Sequence, residues 1–173
     1  GAYSISVTAP GTAADPVVVY IDSAETPNAT TVTLAVDTSS NITSLDLYDG
    51  RVAVTYENAG PMTNAKMGTG DNGDAGILYA VSAGNLTVDS NIELHVKDSK
   101  TFTPGGTVTT QGTGDLHLDD SSVATLANAT NAMARDMLVD TSATLNINAD
   151  TTVAGGDITT AGTGVVAYSG TPT

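Results

Sequence analysis

Cysteine and tryptophan are absent from the 173 residues, and phenylalanine occurs once. No disulfide framework, thiol chemistry or thiolate metal site can therefore be built. With aromatic residues at 4% of the chain, burial must come from Val, Ile, Leu, Ala and Thr, which suit pleated sheet faces. Basic residues are as scarce: Lys+Arg is 5 against Asp+Glu 19, a net charge of −14. Such a surface repels phosphate backbones and anionic membranes, which argues against nucleic acid as a partner. Long apolar runs are missing too. The longest, Val17-Val18-Val19-Tyr20-Ile21, is far too short to span a bilayer, so no membrane insertion is expected.

What is present is recurring text. Ser6-Val7-Thr8-Ala9-Pro10-Gly11-Thr12 reads like Thr107-Val108-Thr109-Thr110-Gln111-Gly112-Thr113 and like Asp157-Ile158-Thr159-Thr160-Ala161-Gly162-Thr163. A second phrase recurs as Val36-Asp37-Thr38-Ser39, Val88-Asp89-Ser90 and Val139-Asp140-Thr141-Ser142. The second recurs at about 50 residues and the first at about 50 or twice that, which suggests about three related segments. The match of the N-terminal phrase to the last copy suggests that the chain starts and stops within a repeat.

Residues 2–9 alternate, with Tyr3, Ile5 and Val7 on one face and Ser4, Ser6 and Thr8 on the other. That is the pattern of a half-buried strand, and residues 10–16, with two Pro and a Gly, break it as a linker. Asp49-Gly50 lies between Leu45-Asp46-Leu47-Tyr48 and Arg51-Val52-Ala53-Val54, a hairpin signal because a two-residue turn needs positive φ. Residues 58–75 read as loop. Further strands are expected near residues 77–81, 86–88, 92–96, 108–110, 116–118, 145–147, 158–160 and 165–168. Val123, Leu126, Thr130, Met133 and Met137 recur at three and four, which predicts a helix over residues 122–138. The expectation is an all-β fold, mainly an antiparallel β-sandwich with one short helix; a β-helix or solenoid is the alternative. Residues 1–15 form an N-terminal strand and linker, and residues 16–173 a single β domain.

Candidate chemistry is thin. Gly68-Thr69-Gly70-Asp71-Asn72-Gly73 matches a dinucleotide fingerprint on paper, but a loop is expected before it and a strand after it, so its glycines read as turn residues. Asp71, Asn72 and Asp74, and separately Asp115, Asp119 and Asp120, offer oxygen ligands of the kind calcium accepts. His95 and His117 sit on the polar face of strands between apolar neighbours and read as solvated. No nucleophile elbow or phosphate-binding loop is present, and no enzymatic role is expected.

In pattern the chain resembles subunits of extracellular, pilus-like filaments that polymerise by strand donation. The carriers are the Tyr3/Ile5/Val7 stripe, the linker at residues 10–16 and the Cys-free, Thr/Gly/Asp-rich β body. That resemblance implies a secreted structural subunit, a homopolymer joined by β-strand addition with Tyr3, Ile5 and Val7 at the junction. Residues 86–118 and 138–168 also resemble β-helical adhesin repeats. The alternatives are therefore a glycan-binding adhesin module, or a virion decoration or fibre protein.

Overall fold

The computed structural model describes residues 4, 11–21, 28–43, 45–55, 60–128 and 130–169. Short strands wind into a β-solenoid of about 6 turns. One sheet contains β1 (Pro16–Tyr20), β2 (Ala29–Leu34), β3 (Arg51–Val54), β6 (Glu93–Val96), β9 (Leu116–Leu118), β12 (Met137–Val139) and β15 (Ile158–Thr160). A second contains β7 (Thr101–Phe102), β10 (Val123–Leu126), β13 (Thr144–Ile147) and β16 (Val165–Tyr168). The third contains β4 (Tyr79–Ser82), β5 (Asn85–Ser90), β8 (Val108–Gln111), β11 (Asn131–Met133) and β14 (Thr151–Val153). Only β1 with β2 and β4 with β5 pair antiparallel; the other pairs are parallel. This overturns the antiparallel sandwich.

The true period follows from the register. Leu94 pairs with Leu116, Leu116 with Met137 and Met137 with Ile158. Those pairings set a solenoid repeat of about 21 residues, within the range of stacked-repeat architectures. A three-sided turn of that length has a corner about every seven positions. The phrases that recur conspicuously in the sequence are corner texts on different sides, not equivalent positions: Val88 belongs to β5 of the third sheet and Val139 to β12 of the first. At these corners an amide bonds the carbonyl three residues back, as Ser122 N–H donates to Asp119 and Ala143 N–H to Asp140. Ser121 and Ser142 take positive φ at 61° each, at the third position of the turn.

The short side also explains the false helix. Between residues 122 and 138 the buried set includes Ala124, Leu126, Asn131, Met133 and Met137, spread over β10, β11 and β12. A recurrence of seven coincides with two helical turns, so successive sides mimic an amphipathic helix. The helix that does form, α1 (Asn64–Gly70), lies in the stretch read as loop. Thr63 caps it, its side chain accepting from Lys66 N–H at 3.2 Å, and Met67 is buried beneath it. Gly68 and Gly70 of the apparent fingerprint sit inside this helix. The Asp49-Gly50 turn forms, with Gly50 at φ 72° and Arg51 N–H on Tyr48 C=O at 3.2 Å. Residues 45–48 are not a strand, however, and β3 pairs parallel with both β2 and β6. The two-residue hairpin lies instead at Ala83-Gly84, both with positive φ.

Inward residues stack in columns, Leu94 on Leu116 on Met137 and Phe102 on Ala124 on Leu145, all 0% exposed. At the N-terminal end, β1, β4 and α1 are packed together. At the other end nothing among the described residues covers β14, β15 and β16. Ile158 and Tyr168 occupy columns buried in the preceding turns, yet are 39% and 49% exposed.

Two substitutions test this packing. Leu116→Ala, deep in a column, should lower stability by about 2–5 kcal/mol, read from the urea midpoint. At Gly106 an added Cβ would lie 1.9 Å from Gly84 carbonyl oxygen. Gly106→Ala should therefore destabilise far more than Gly73→Ala, where nothing lies within 4 Å and only the positive φ opposes a side chain.

Candidate functional site

The solenoid brings distant residues together on the outer face of the first sheet. Leu94 and Val96 point inward, so His95 between them points out; Leu116 and Leu118 do the same for His117. Residues one turn apart are neighbours, and His95 pairs with His117 in register. Their rings stack with centroids 4.5 Å apart and planes 8° from parallel. Tyr48 lies near His95 at 6.1 Å between ring centroids. His95 is 2% exposed, which corrects the expectation of a solvated histidine.

Charged groups line both edges of the stacked rings. On one edge, Glu93 Oε1 is 3.1 Å from Arg51 Nε, 3.1 Å from His95 Nδ1 and 3.4 Å from His117 Nδ1. On the other, His95 Nε2 is 2.6 Å from Asp119 Oδ1, and His117 Nε2 is 3.0 Å from Asp140 Oδ2. Lys97 Nζ bonds Asp119 Oδ2 and lies 4.8 Å from the Tyr48 ring centre. Arg51 Nη1 donates to His95 Nδ1 at 3.0 Å. A guanidinium nitrogen has no acceptor capacity, so Nδ1 accepts and the proton of His95 sits on Nε2, facing Asp119.

The field inside this group is strong. The Glu93 carboxylate, 3.4 Å from His117 Nδ1, outweighs burial and, aided by Asp140, raises His117 to about 9. Burial opposes ionisation of Glu93, but the neighbouring His117 and the Arg51 charge outweigh it and hold Glu93 well below the usual carboxylate range. Burial likewise opposes the charges of Lys97 and Asp119; their mutual bond wins, raising the first and, with His95, lowering the second. With His117 protonated, Arg51, Lys97 and His117 balance Glu93, Asp119 and Asp140, three charges of each sign.

Two sets of side chains converge closely enough to share an ion: Glu93, His95 and His117, and His117, Asp119 and Asp140. An imidazole holds a metal along a nitrogen lone pair, in the plane of its ring. Two stacked parallel rings offer no nearby point lying in both planes, so the first set could bind an ion only if a ring turned. The second set uses one ring, but its Asp119 oxygens are already taken by Lys97 and His95. The arrangement is a self-compensated ladder.

The calcium sets read from the sequence are distributed differently. Asp71 accepts from Gly73 and Val81 N–H, Asn72 from Asp74 N–H and Asp74 from Gly76 N–H, at 2.9–3.2 Å. These oxygens hold the turn after α1 in shape. Of Asp115, Asp119 and Asp120, only Asp119 joins the histidines; Asp115 accepts from Asp136 N–H one turn on at 2.9 Å, and Asp120 sits on an exposed corner. Tyr3, Ile5 and Val7 lie outside the described residues. Sequence reading missed Tyr48, Arg51, Glu93, Lys97 and Asp140, and the signal was there: Leu94-His95-Val96 and Leu116-His117-Leu118 repeat one phrase one solenoid turn apart.

The ladder links stability to pH. His117 is held above its unfolded value of about 6.5, so its contribution is complete below pH 6.5 and is lost as pH rises through about 9. That loss should reach about 3 kcal/mol, seen as a fall in melting temperature across that window that His117→Gln removes. Glu93 acts oppositely: its contribution is present above its unfolded value and lost in acid. The chain matches no known family model, no curated protein and no solved structure.

Proposed function

We propose that this chain is a structural β-solenoid subunit of an extracellular filament or surface assembly, extended by adding strands at its last turn. One observation carries this reading: among the described residues, the last turn ends in open columns and open edges. Among the described residues, strands β14, β15 and β16 each pair on one side only, and Ile158, Val166 and Tyr168 stand in line with Met137, Leu145 and Ile147 of the buried core. Open edges of this kind template further pairing unless they are blunted by charge, proline or a cover. Here β15 and β16 carry no charged residue and no proline.

Side chains continue the same pattern. Asp115 accepts from Asp136 N–H, and Asp136 accepts from Asp157 N–H, both at 2.9 Å. Asp157 is thus the next member of a ladder and presents an acceptor to whatever stacks beyond it. The charge-compensated histidine group, each ionised member facing an opposite charge, supports a role in holding successive turns together. The Thr/Ser/Gly/Asn/Asp-rich, Lys-poor composition supports an extracellular setting.

Light scattering and electron microscopy test the reading. The protein should associate as concentration rises, more strongly in high salt because screening relieves the repulsion between copies that each carry −14. The double substitution Val166→Asp, Tyr168→Asp should abolish association and lower the melting temperature only slightly, since both residues sit at the rim. A wild-type chain that stays monomeric under all these conditions defeats the proposal.

A further inference from the structure

The open face needs a strand, and one segment of this chain suits it. Residues 2–9 alternate Tyr3, Ile5, Val7 against Ser4, Ser6, Thr8, and the phrase from Ser6 to Thr12 aligns Val7 with Ile158, Thr8 with Thr159 and Gly11 with Gly162. We infer that residues 2–9 of a second copy pair parallel with β15, Val7 stacking on Ile158 and Thr8 on Thr159, so that copies join head to tail. This rests on the proposed assembly and specifies its donor, acceptor, direction and register.

The chain's own segment cannot occupy that place. Thr12 is tied to Asp15 by Thr12 N–H and Oγ1 on its carboxylate at 2.7 and 2.6 Å. Asp15 in turn is held at the end of β2, its carbonyl accepting from Ala35 N–H at 2.9 Å. Thr12 therefore stays at the β1 end of the first sheet. From β1 to β15 there are six strand spacings, about 29 Å at about 4.8 Å each. Val7 lies five positions before Thr12, a reach of at most about 18 Å. The same tether holds Thr12 beside the face that would meet the last turn of a neighbour.

Strand direction agrees. β1 runs antiparallel to β2, and β2 runs parallel to every later strand of its sheet. A strand that turns back through residues 10–15 into β1 is antiparallel to β1, hence parallel to β15 of the neighbour. Inserted between the two, it would cover both free edges and make one continuous sheet across the junction. Its apolar residues would enter the column of Ile158, and its Ser and Thr would face outward with Thr159. Pro10 stands where Ala161 N–H donates to Val139 C=O in the last turn, so the donated strand would end one bond sooner.

Because the protein has no cysteine, a disulfide test is unambiguous. Neighbouring positions on parallel strands lie about 5 Å apart, within the Cα range a disulfide accepts. Thr8→Cys and Thr159→Cys proteins, mixed and oxidised mildly, should cross-link to each other, and neither should cross-link with itself. A chain lacking residues 1–10 should keep its melting temperature and fail to associate with itself. Assembly of that shortened chain at wild-type level, or Thr159→Cys homodimers in place of mixed ones, overturns the inference while leaving end-to-end assembly standing. Monomeric wild-type protein would overturn both.

Discussion

In-register stacking of successive turns is the constraint from which the other features follow. Each turn places a residue directly on its equivalent in the turn before, so every column must be tolerable as a stack of like positions. Inside, that requirement is met by aliphatic residues such as Leu94, Leu116 and Met137, each buried completely. Apolar burial in the interior removes side chains from water, while parallel ladders satisfy the backbone between turns. A light core with one Phe and no Trp is sufficient because the core is narrow and repeats.

Outside, the same rule threatens to stack like charges. The molecule answers in two ways. Where acids do recur, at Asp115, Asp136 and Asp157, each of the first two turns an oxygen onto the amide of the next turn, so the carboxylate joins turns as well as bearing charge. Around His95 and His117 the signs alternate: Arg51 meets Glu93, and Lys97 meets Asp119. The histidines stack as flat rings and present their nitrogens to carboxylates or to Arg51. Stacking is thus the common origin of the core and of the one concentrated polar site among the described residues.

Much of the strand content was legible, because short alternating runs such as Leu94-His95-Val96 and Leu145-Asn146-Ile147 carry a period of two whatever their pairing partner. Pairing direction was not. Asp49-Gly50 does make a turn, but a turn at a solenoid corner needs the same positive φ as a turn in a hairpin. Leu126 and Met133 stand seven apart on successive sides of the coil, a spacing that a helix also satisfies. The longer recurrence misled for a related reason: Gly112-Thr113-Gly114 and Gly162-Thr163-Gly164 are both corners, yet on different edges. The interval that counted, from His95 to His117, was hidden because the corner phrases repeat more conspicuously than the sides. The charged partners then follow only once the turns are laid on each other.

Stacking also explains why the two ends differ. At the start, β1 and β4 reverse direction and α1 lies against them, so the parallel pattern stops there. At the finish no described residue covers the pattern. Amide hydrogen exchange, compared between dilute and concentrated protein, tests this most directly. The account predicts that amides of β14, β15 and β16 pointing away from the preceding turn gain protection with concentration, while those of β6 and β9 stay unchanged. Protection of the last turn that is independent of concentration would contradict it.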